Sequence, residues 1–381
     1  MLVQIHLLQN YAPANLNRDD SGSPKDTMFG GVRRGRISSQ CLKRSIRRSA
    51  AFAGAFANDG LLGIRTRQLP ELIRQELQAI GAGEDALQDI LARVPEIGRE
   101  SRKGREAGEE VEGESPPEGN EEAKSATAQL IFLGRNELRP LAEKLLAAYE
   151  TRGPKNWKKT KIPDITRELG GSLPRSVDIA MFGRMTTSEA FDDVQAAVQV
   201  AHALSTNALT QEFDYYTAVD DLSGESGAGM IGDVEFNSST YYKYLNMHWE
   251  KLVENLGGDR GTARRAALAL LEAAATAQPS GKQNSFAAHS LPDLVLVEVR
   301  EKNLPVSYAN AFLQPARPGS DQSLVDASVI QLADYIGRVS KTYGLNGQRA
   351  FTALRDYALP EADSRPSLSD LQHWLETQLP G

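Results

Sequence analysis

Apolar positions recur with near period two from Leu2 to Gln9 (L-V-Q-I-H-L-L-Q), and the branched side chains among them predict a first strand. The period then changes. Beyond a loop from Asn15 to Gly31, Leu42, Ile46 and Ala50 return at about one helical turn, so a helix with one inward face is expected behind the N-cap candidates Ser38 and Ser39. The intervening M-F-G-G-V-R-R-G-R-I reads as a short strand or hairpin turning at Gly30-Gly31. Helical spacing governs Gln68 to Ile80, Asp85 to Val94 and Ala126 to Tyr149, the last through Leu130, Phe132, Leu133, Leu138, Leu141 and Leu145. Val177 to Gly183 resumes strand character, and Thr186-Thr187-Ser188-Glu189 matches a capping box opening a helix through Leu204.

Glu212 to Leu222 and Val234 to Met247 alternate, carry many aromatics and flank the glycine-rich S-G-E-S-G-A-G-M-I-G, which predicts a long hairpin. Ala263 to Ala277 reads as an alanine-rich helix, Leu291 to Arg300 as a buried strand, and Ser323 to Tyr343 and Ser367 to Leu379 as closing helices. The order predicts an α+β sheet domain, with a helical block from about 60 to 170 inserted between the first helix and the next strand.

Charge changes the picture. The 381 residues carry a formal net charge of -7, yet Lys25, Arg33, Arg34, Arg36, Lys43, Arg44, Arg47 and Arg48 face a single acid, Asp26, between positions 25 and 48. A cationic patch on an acidic chain implies a polyanion bound at one place, because attraction to phosphates is the sequence-independent part of nucleic-acid affinity. The N-terminus of the basic helix, Ser38 to Gln40, adds an anion-attracting element. The bland alternative is a solvated helix face. Elsewhere, eight glutamates between Glu106 and Ala123, with no basic residue among them, account for more than the whole deficit. That segment has too little apolar surface to offset its ordering entropy and reads as a disordered acidic loop, either a solvating insertion or a mimic that shields the basic face.

With one cysteine, Cys41, no internal disulfide can form, consistent with a reducing cytoplasm; no apolar run approaches a membrane span and no signal peptide is evident. Catalytic apparatus is sparse. The five histidines form no spaced ligand set, and the serine-hydrolase, zincin, phosphate-loop and dinucleotide patterns are missing. His202 reads as a core histidine on a helix; Asp19-Asp20 and Asp220-Asp221 lack a third ligand, so neither metal nor cofactor is expected. Binding features stand out instead. Lys155, Lys158, Lys159 and Lys161 surround Trp157, combining cations with a stacking plane or else forming an ordinary exposed turn. Phe213, Tyr215 and Tyr216 line one arm of the long hairpin, and Met230-Ile231 lie at its tip, exposed for a partner or folded back on the sheet.

Six collinear motifs give these residues a family likeness. N-R-D-D at Asn17 to Asp20, Lys25-Asp26, F-G-G-x-R-R-x-R-I-S-S-Q-x-L-K-R from Phe29 to Arg44, D-I-A-x-x-G-R-M from Asp178 to Met185, T-A-V-D-D-L from Thr217 and Y-G-L-N-G from Tyr343 resemble the CasC backbone subunits of type I-E CRISPR Cascade complexes. The likeness spans nearly the whole chain and is weakest from about Ala57 to Leu173. It implies an RNA-recognition-motif-like (ferredoxin-like) palm at 1–58, 174–208 and 237–381, helical fingers at 59–173 that contain the acidic loop 106–123, and a β-hairpin thumb at 209–236.

The likeness further implies that Lys25, Ser38, Gln40, Lys43, Arg44 and Arg47 hold the backbone of a CRISPR RNA, that Met185 lies against its bases, and that the thumb, with Ile231 near its tip, displaces one nucleotide at intervals. Arg34, Arg36, Lys158, Lys161 and Tyr215 join this expected RNA-binding set from their charge or aromatic character. Expected partners are the guide RNA, target DNA through the guide, further copies of the chain, other Cascade subunits and, indirectly, a recruited helicase-nuclease. A protein serving many guides should grip phosphate and sugar and leave base edges free. Three readings remain: a noncatalytic guide-RNA filament subunit, a metal-dependent endoribonuclease using Asp26, and a basic scaffold for an acidic protein.

Overall fold

The computed structural model of the protein describes residues 1–97, 127, 130–169, 173–185, 190–219 and 228–381. Chain contacts divide it into two units, one of Met1–Ala55, Val198–Glu250 and Ala263–Gly381, the other of Phe56–Ala197 and Lys251–Thr262. The acidic loop 106–123, the Thr186–Glu189 capping box and the tip of the long hairpin lie outside the described residues.

The first unit is built on β1 (Leu2–Ala14), β2 (Asp26–Phe29) and β3 (Val32–Ile37), the second contributes β4 (Gly63–Thr66) and β5 (Ile131–Gly134), and the first resumes with β6 (Val198–Val200), β7 (Ala203–Ser205), β8 (Glu212–Val219), β9 (Ala228–His248), β10 (Leu294–Arg300), β11 (Gln348–Ala353) and β12 (Asp363–Ser364). Its sheet runs in the order β12-β11-β10-β1-β9-β7-β3-β2 among the described residues, with β6 and β8 each pairing β9. The central strand β1 is buried from Leu2 to Gln9 because antiparallel partners flank it on both sides, Leu2 opposite Arg300 in β10 and opposite His248 in β9. Both sheet faces are covered, so its polar positions are inside too: Gln4, His6 and Gln9 are fully buried. A core of Leu8, Tyr242, Leu294, Leu296, Phe312, Leu332 and Phe351 seats the helix Leu324–Tyr343 against β10 and its neighbours. Ser323 caps that helix by accepting from the Asp326 amide at 3.2 Å, while Asp326 accepts from the Ser323 amide at 3.0 Å.

The second unit is mainly helical, with Leu69–Ala79, Glu84–Leu91, Arg135–Lys159 and Ile162–Leu169 burying Leu69, Ile73, Leu77, Ile90, Leu141, Leu145, Trp157 and Ile165 in one core. The long helix is broken at Gly153, whose φ of 71° leaves the helical region ahead of Pro154.

Three expectations are corrected. Ile131–Gly134 is a strand on β4, because Ile131 and Leu133 alternate inward with period two, so the expected helix begins only at Arg135. Val177–Phe182 is a helix rather than a strand: its apolar run is buried almost all round, where periodicity cannot separate the two. Beyond Ala190 there is no helix through Leu204 but β6 and β7, drawn into the sheet by Val198 opposite Met247 and Leu204 opposite Tyr242. His202 accordingly sits exposed in the turn between those strands, not in a helical core. No helix of the described residues is long and apolar enough to cross a membrane.

Candidate nucleic-acid interface

In the first unit the β2–β3 hairpin delivers the chain to the basic helix Ser39–Arg48. Its two-residue turn uses Gly30 and Gly31, with φ of 62° and 75°, and a β-carbon on Gly30 would come within 2.2 Å of the Leu313 carbonyl oxygen. Asn17 then fastens three motifs together. Its side-chain oxygen accepts from the Ser38 amide at 2.8 Å, its carbonyl accepts from the Lys25 amide at 2.8 Å, and the Lys25 carbonyl accepts from the Arg36 amide at 2.9 Å. Lys25 and Arg36 share a small cavity with Tyr11, Asn17, Asn237 and Tyr241.

Ser38 caps the helix, its hydroxyl accepting from the Cys41 amide at 3.3 Å, and no acidic residue occupies the first turn. The helix end thus keeps its positive field toward solvent at Ser39 and exposed Gln40. Leu42 and Ile46 bury the inner face, while Arg44 and Arg48 are exposed and Lys43 and Arg47 half-buried. Burial lowers the Lys43 pKa and raises that of Cys41, so the cysteine behaves as a packed thiol.

The arginines of the hairpin separate by strand parity. Arg34 leaves the expected RNA-binding set: fully buried, it donates through Nη1 to the carbonyls of Ser205 (3.1 Å) and Thr206 (2.8 Å) and through Nη2 to that of Phe312 (2.6 Å). It clamps loops of the sheet. Arg33, on the opposite face, is exposed and ion-paired with Asp26. Arg36 donates through Nε to the Asp26 carbonyl at 3.1 Å and through Nη1 to His202 at 3.3 Å. Burial, then the neighbouring Arg36 and Lys25, lowers the His202 pKa.

In the second unit Met185 is 97% exposed. The residue before it explains why. Arg184 is buried, donates to Glu137 at 2.7 Å and to the Asp192 carbonyl at 3.1 Å, and lies 5.4 Å over the Phe191 ring, so the turn that presents Met185 is pinned. Gly183 precedes it with φ of 81°, where a β-carbon would approach the Val194 carbonyl oxygen to 2.9 Å. The expected lysine-tryptophan platform is corrected: Trp157 is fully buried, donates to the Asp89 carbonyl at 3.0 Å and packs edge-on to Tyr149. Lys158 pairs with Asp89 at 2.9 Å, and Lys161 is exposed.

The long hairpin pairs Phe213 with Glu235, Tyr215 with Asp233 and Thr217 with Ile231, which places Phe213, Tyr215 and Ile231 on one face. These three are 62%, 65% and 61% exposed, an apolar stripe on a two-stranded ribbon. Met230 and Ile231 stand within β9 rather than in a loop, because pairing resumes at Ala228. Gly232 leaves room for the Tyr216 ring, which a β-carbon would meet at 2.6 Å.

The sequence reading missed the roles of Asn17, Arg184 and Lys243. Lys243 is buried in β9, its Nζ donating to Gln9 and, at 3.0 Å, to the Tyr11 hydroxyl, and burial pushes its pKa down to about 7. Among the described residues no cluster of three His, Cys, Asp or Glu is placed to hold a metal ion.

Comparison with known proteins agrees with this architecture. The family model described as CT1975-like protein matches residues 3–376. A solved chain titled CRISPR RNA-guided surveillance complex, pre-nicking, is 31% identical with a TM-score of 0.77, covering 100% of both chains. A second, titled CRISPR RNA-guided surveillance complex, is 24% identical with a TM-score of 0.59 over 99% of each chain and shows the shared fold. None of the curated proteins matches. The chain therefore belongs to the CT1975-like family and is a CRISPR-associated, Cas7-like protein of mixed α+β fold.

Proposed function

We propose that this chain is a noncatalytic, CRISPR RNA-binding backbone subunit of a type I-E Cascade surveillance complex, several copies of which line up along the guide spacer. The observation that carries the reading is the collection of Lys25, Arg36, Lys43, Arg44 and Arg47 on and beside one helix whose first turn holds no acid, in a chain 31% identical to a subunit of a CRISPR RNA-guided complex. These groups suit phosphate and sugar, not base edges, so any guide sequence fits. The sheet acts as an RNA-recognition-motif-like palm and the second unit as fingers. The β8–β9 ribbon acts as the thumb, its stripe of Phe213, Tyr215 and Ile231 sliding beside an unstacked base step, and exposed Met185 of the second unit lies against bases of the guide. Intervening bases face outward for target DNA. Other Cascade subunits complete the complex, and a recruited helicase-nuclease cuts the DNA.

Asp26 serves the grip rather than chemistry, since its carboxylate is occupied by Arg33 and its carbonyl by Arg36. Purification from the native host without nuclease, followed by sequencing of the co-purifying nucleic acid, tests the reading. CRISPR RNA of many spacers is expected. Recovery of no RNA, or magnesium-dependent RNA cleavage that Asp26→Ala abolishes, would overturn it.

A further inference from the structure

A lysine stands at position 282 in a backbone conformation that suits glycine. Among the described residues three non-glycine side chains adopt positive φ, and two of them, Lys282 (φ 50°) and Ala287 (φ 46°), bracket the short helix Gln283–Phe286. The left-handed region crowds a β-carbon against the following carbonyl, so each costs energy that glycine avoids. Such outliers persist where the surroundings over-determine them, and they cluster at sites of function.

The loop Pro279 to His289 is held firmly. At its base Gln278 accepts from the Tyr11 hydroxyl at 2.8 Å and donates to the Ser290 carbonyl at 2.6 Å, and within it the Lys282 carbonyl accepts from the Ser285 and Phe286 amides at 3.0 Å each. On one side a β-carbon on Gly281 would come within 2.3 Å of the Leu16 carbonyl oxygen and 2.8 Å of that of Asn15, so the loop lies on the segment that leads into Asn17. On the other, Phe286 packs its ring 5.6 Å from that of Phe236 at the foot of the β8–β9 ribbon. Asn15 joins the two sides by donating to the Glu235 carbonyl at 3.0 Å. At about 3.8 Å per residue step, with one close contact between, Lys282 stands roughly 10 Å from Asn17, which fastens Lys25 and Ser38.

Its chemistry continues that of the groove. From Ala273 to Pro292 the sequence holds no acidic residue, and Lys282 makes no ion pair among the described residues. In the adjoining segment Asp19 is taken up by the amides of Ser21 and Ser23 at 3.0 Å each, and exposed Arg18 offsets exposed Asp20. Asn284 and Ser285 are exposed, whereas the large apolar side chain of the loop, Phe286, turns onto Phe236. A protein partner would want an exposed aromatic or apolar anchor, and the loop offers none. A cation beside neutral hydrogen-bonding groups, continuous with a phosphate groove, fits a sugar-phosphate strand. An amide can both donate to and accept from a ribose 2′-hydroxyl, which DNA lacks.

We propose that this loop is a further grip on the guide, Lys282 meeting a phosphate and Asn284 a ribose hydroxyl, where the strand passes from the basic helix to the ribbon. Lysine is kept at a glycine-like position because its charge is used there. This rests on the proposed RNA-binding function and adds a means of telling RNA from DNA.

The test titrates the full chain with RNA and DNA of one sequence by fluorescence anisotropy over a range of salt, with thermal unfolding read alongside. Lys282→Gly relieves the strained backbone, so its melting temperature is expected to hold or rise while RNA affinity falls about fourfold at 0.15 M salt and the salt slope flattens by about 0.7, as one lost phosphate contact requires. Lys282→Gln, which keeps the strain and removes the charge, loses the same slope. Asn284→Ala is expected to weaken RNA roughly threefold to tenfold, leave DNA and the salt slope unchanged, and so narrow the preference for RNA. An unaltered slope in both Lys282 variants, a lowered melting temperature in Lys282→Gly, or an RNA preference indifferent to Asn284→Ala overturns the proposal. So does p-benzoylphenylalanine at Ser285, in the chain co-expressed with its complex, if it cross-links to protein or DNA instead of guide RNA. Lys43→Ala with Arg44→Ala is measured in parallel. If that pair loses RNA and the loop variants do not, this inference fails and the functional reading stands; an unaltered chain that binds no RNA refutes both.

Discussion

Replacing Lys43 and Arg44 together by alanine should strip RNA from a chain that stays folded. Both flank the basic helix, Arg44 exposed and Lys43 half-buried, and neither belongs to its buried Leu42 and Ile46 face. Alanine also favours helix, so the stability change should stay within about 1 kcal/mol. Each phosphate contact to a single strand contributes about 0.7 log unit of affinity per log unit of salt. At about 0.15 M salt that is about 0.6 log unit per contact, so losing two weakens binding roughly fifteenfold and flattens the salt slope by about 1.4. Fluorescence anisotropy with several RNAs of unrelated sequence, titrated from low to high salt, measures both quantities. An unchanged slope would refute the electrostatic reasoning even if affinity fell, and a loss confined to one sequence would refute the backbone grip.

Four further outcomes follow from the geometry. Arg34→Met should lower stability by about 2–4 kcal/mol in denaturant unfolding, because the buried carbonyls of Ser205, Thr206 and Phe312 lose their donor; a folded variant that only binds RNA poorly would return Arg34 to the binding set. Gly30→Ala should cost more than about 1 kcal/mol, since it combines positive φ with a 2.2 Å approach to the Leu313 carbonyl oxygen, and an unaltered melting temperature would contradict the hairpin turn. Ile231→Asp should leave the melting temperature unchanged but abolish the periodic nuclease footprint on bound guide RNA, because its side chain is 61% exposed. Lys243, held near 7 by burial, should make stability rise with pH from about 7 toward 10, where the unfolded chain still binds a proton that the folded one has released; Lys243→Met should remove that slope in urea titrations at pH 7 and 9.5.

The local pattern of the chain was enough to place β1, the Gly30-Gly31 turn, the helix capped by Ser38 and the long aromatic hairpin, because each depends on neighbours a few residues apart. It also located the cationic segment, since net charge is additive along a sequence. Tertiary structure decided which of those cations point outward. Arg33 and Arg34 are chemically identical neighbours, and only the register of β3 against β2 and β7 sends one to solvent with Asp26 and the other into a nest of carbonyls. Trp157 was likewise indistinguishable from a stacking platform until the helices of its unit closed over it, and Val177–Phe182 could be strand or helix until its surroundings chose. The physical reason is the same in each case: burial is a property of what packs against a residue from far along the chain, and no window of sequence contains that partner.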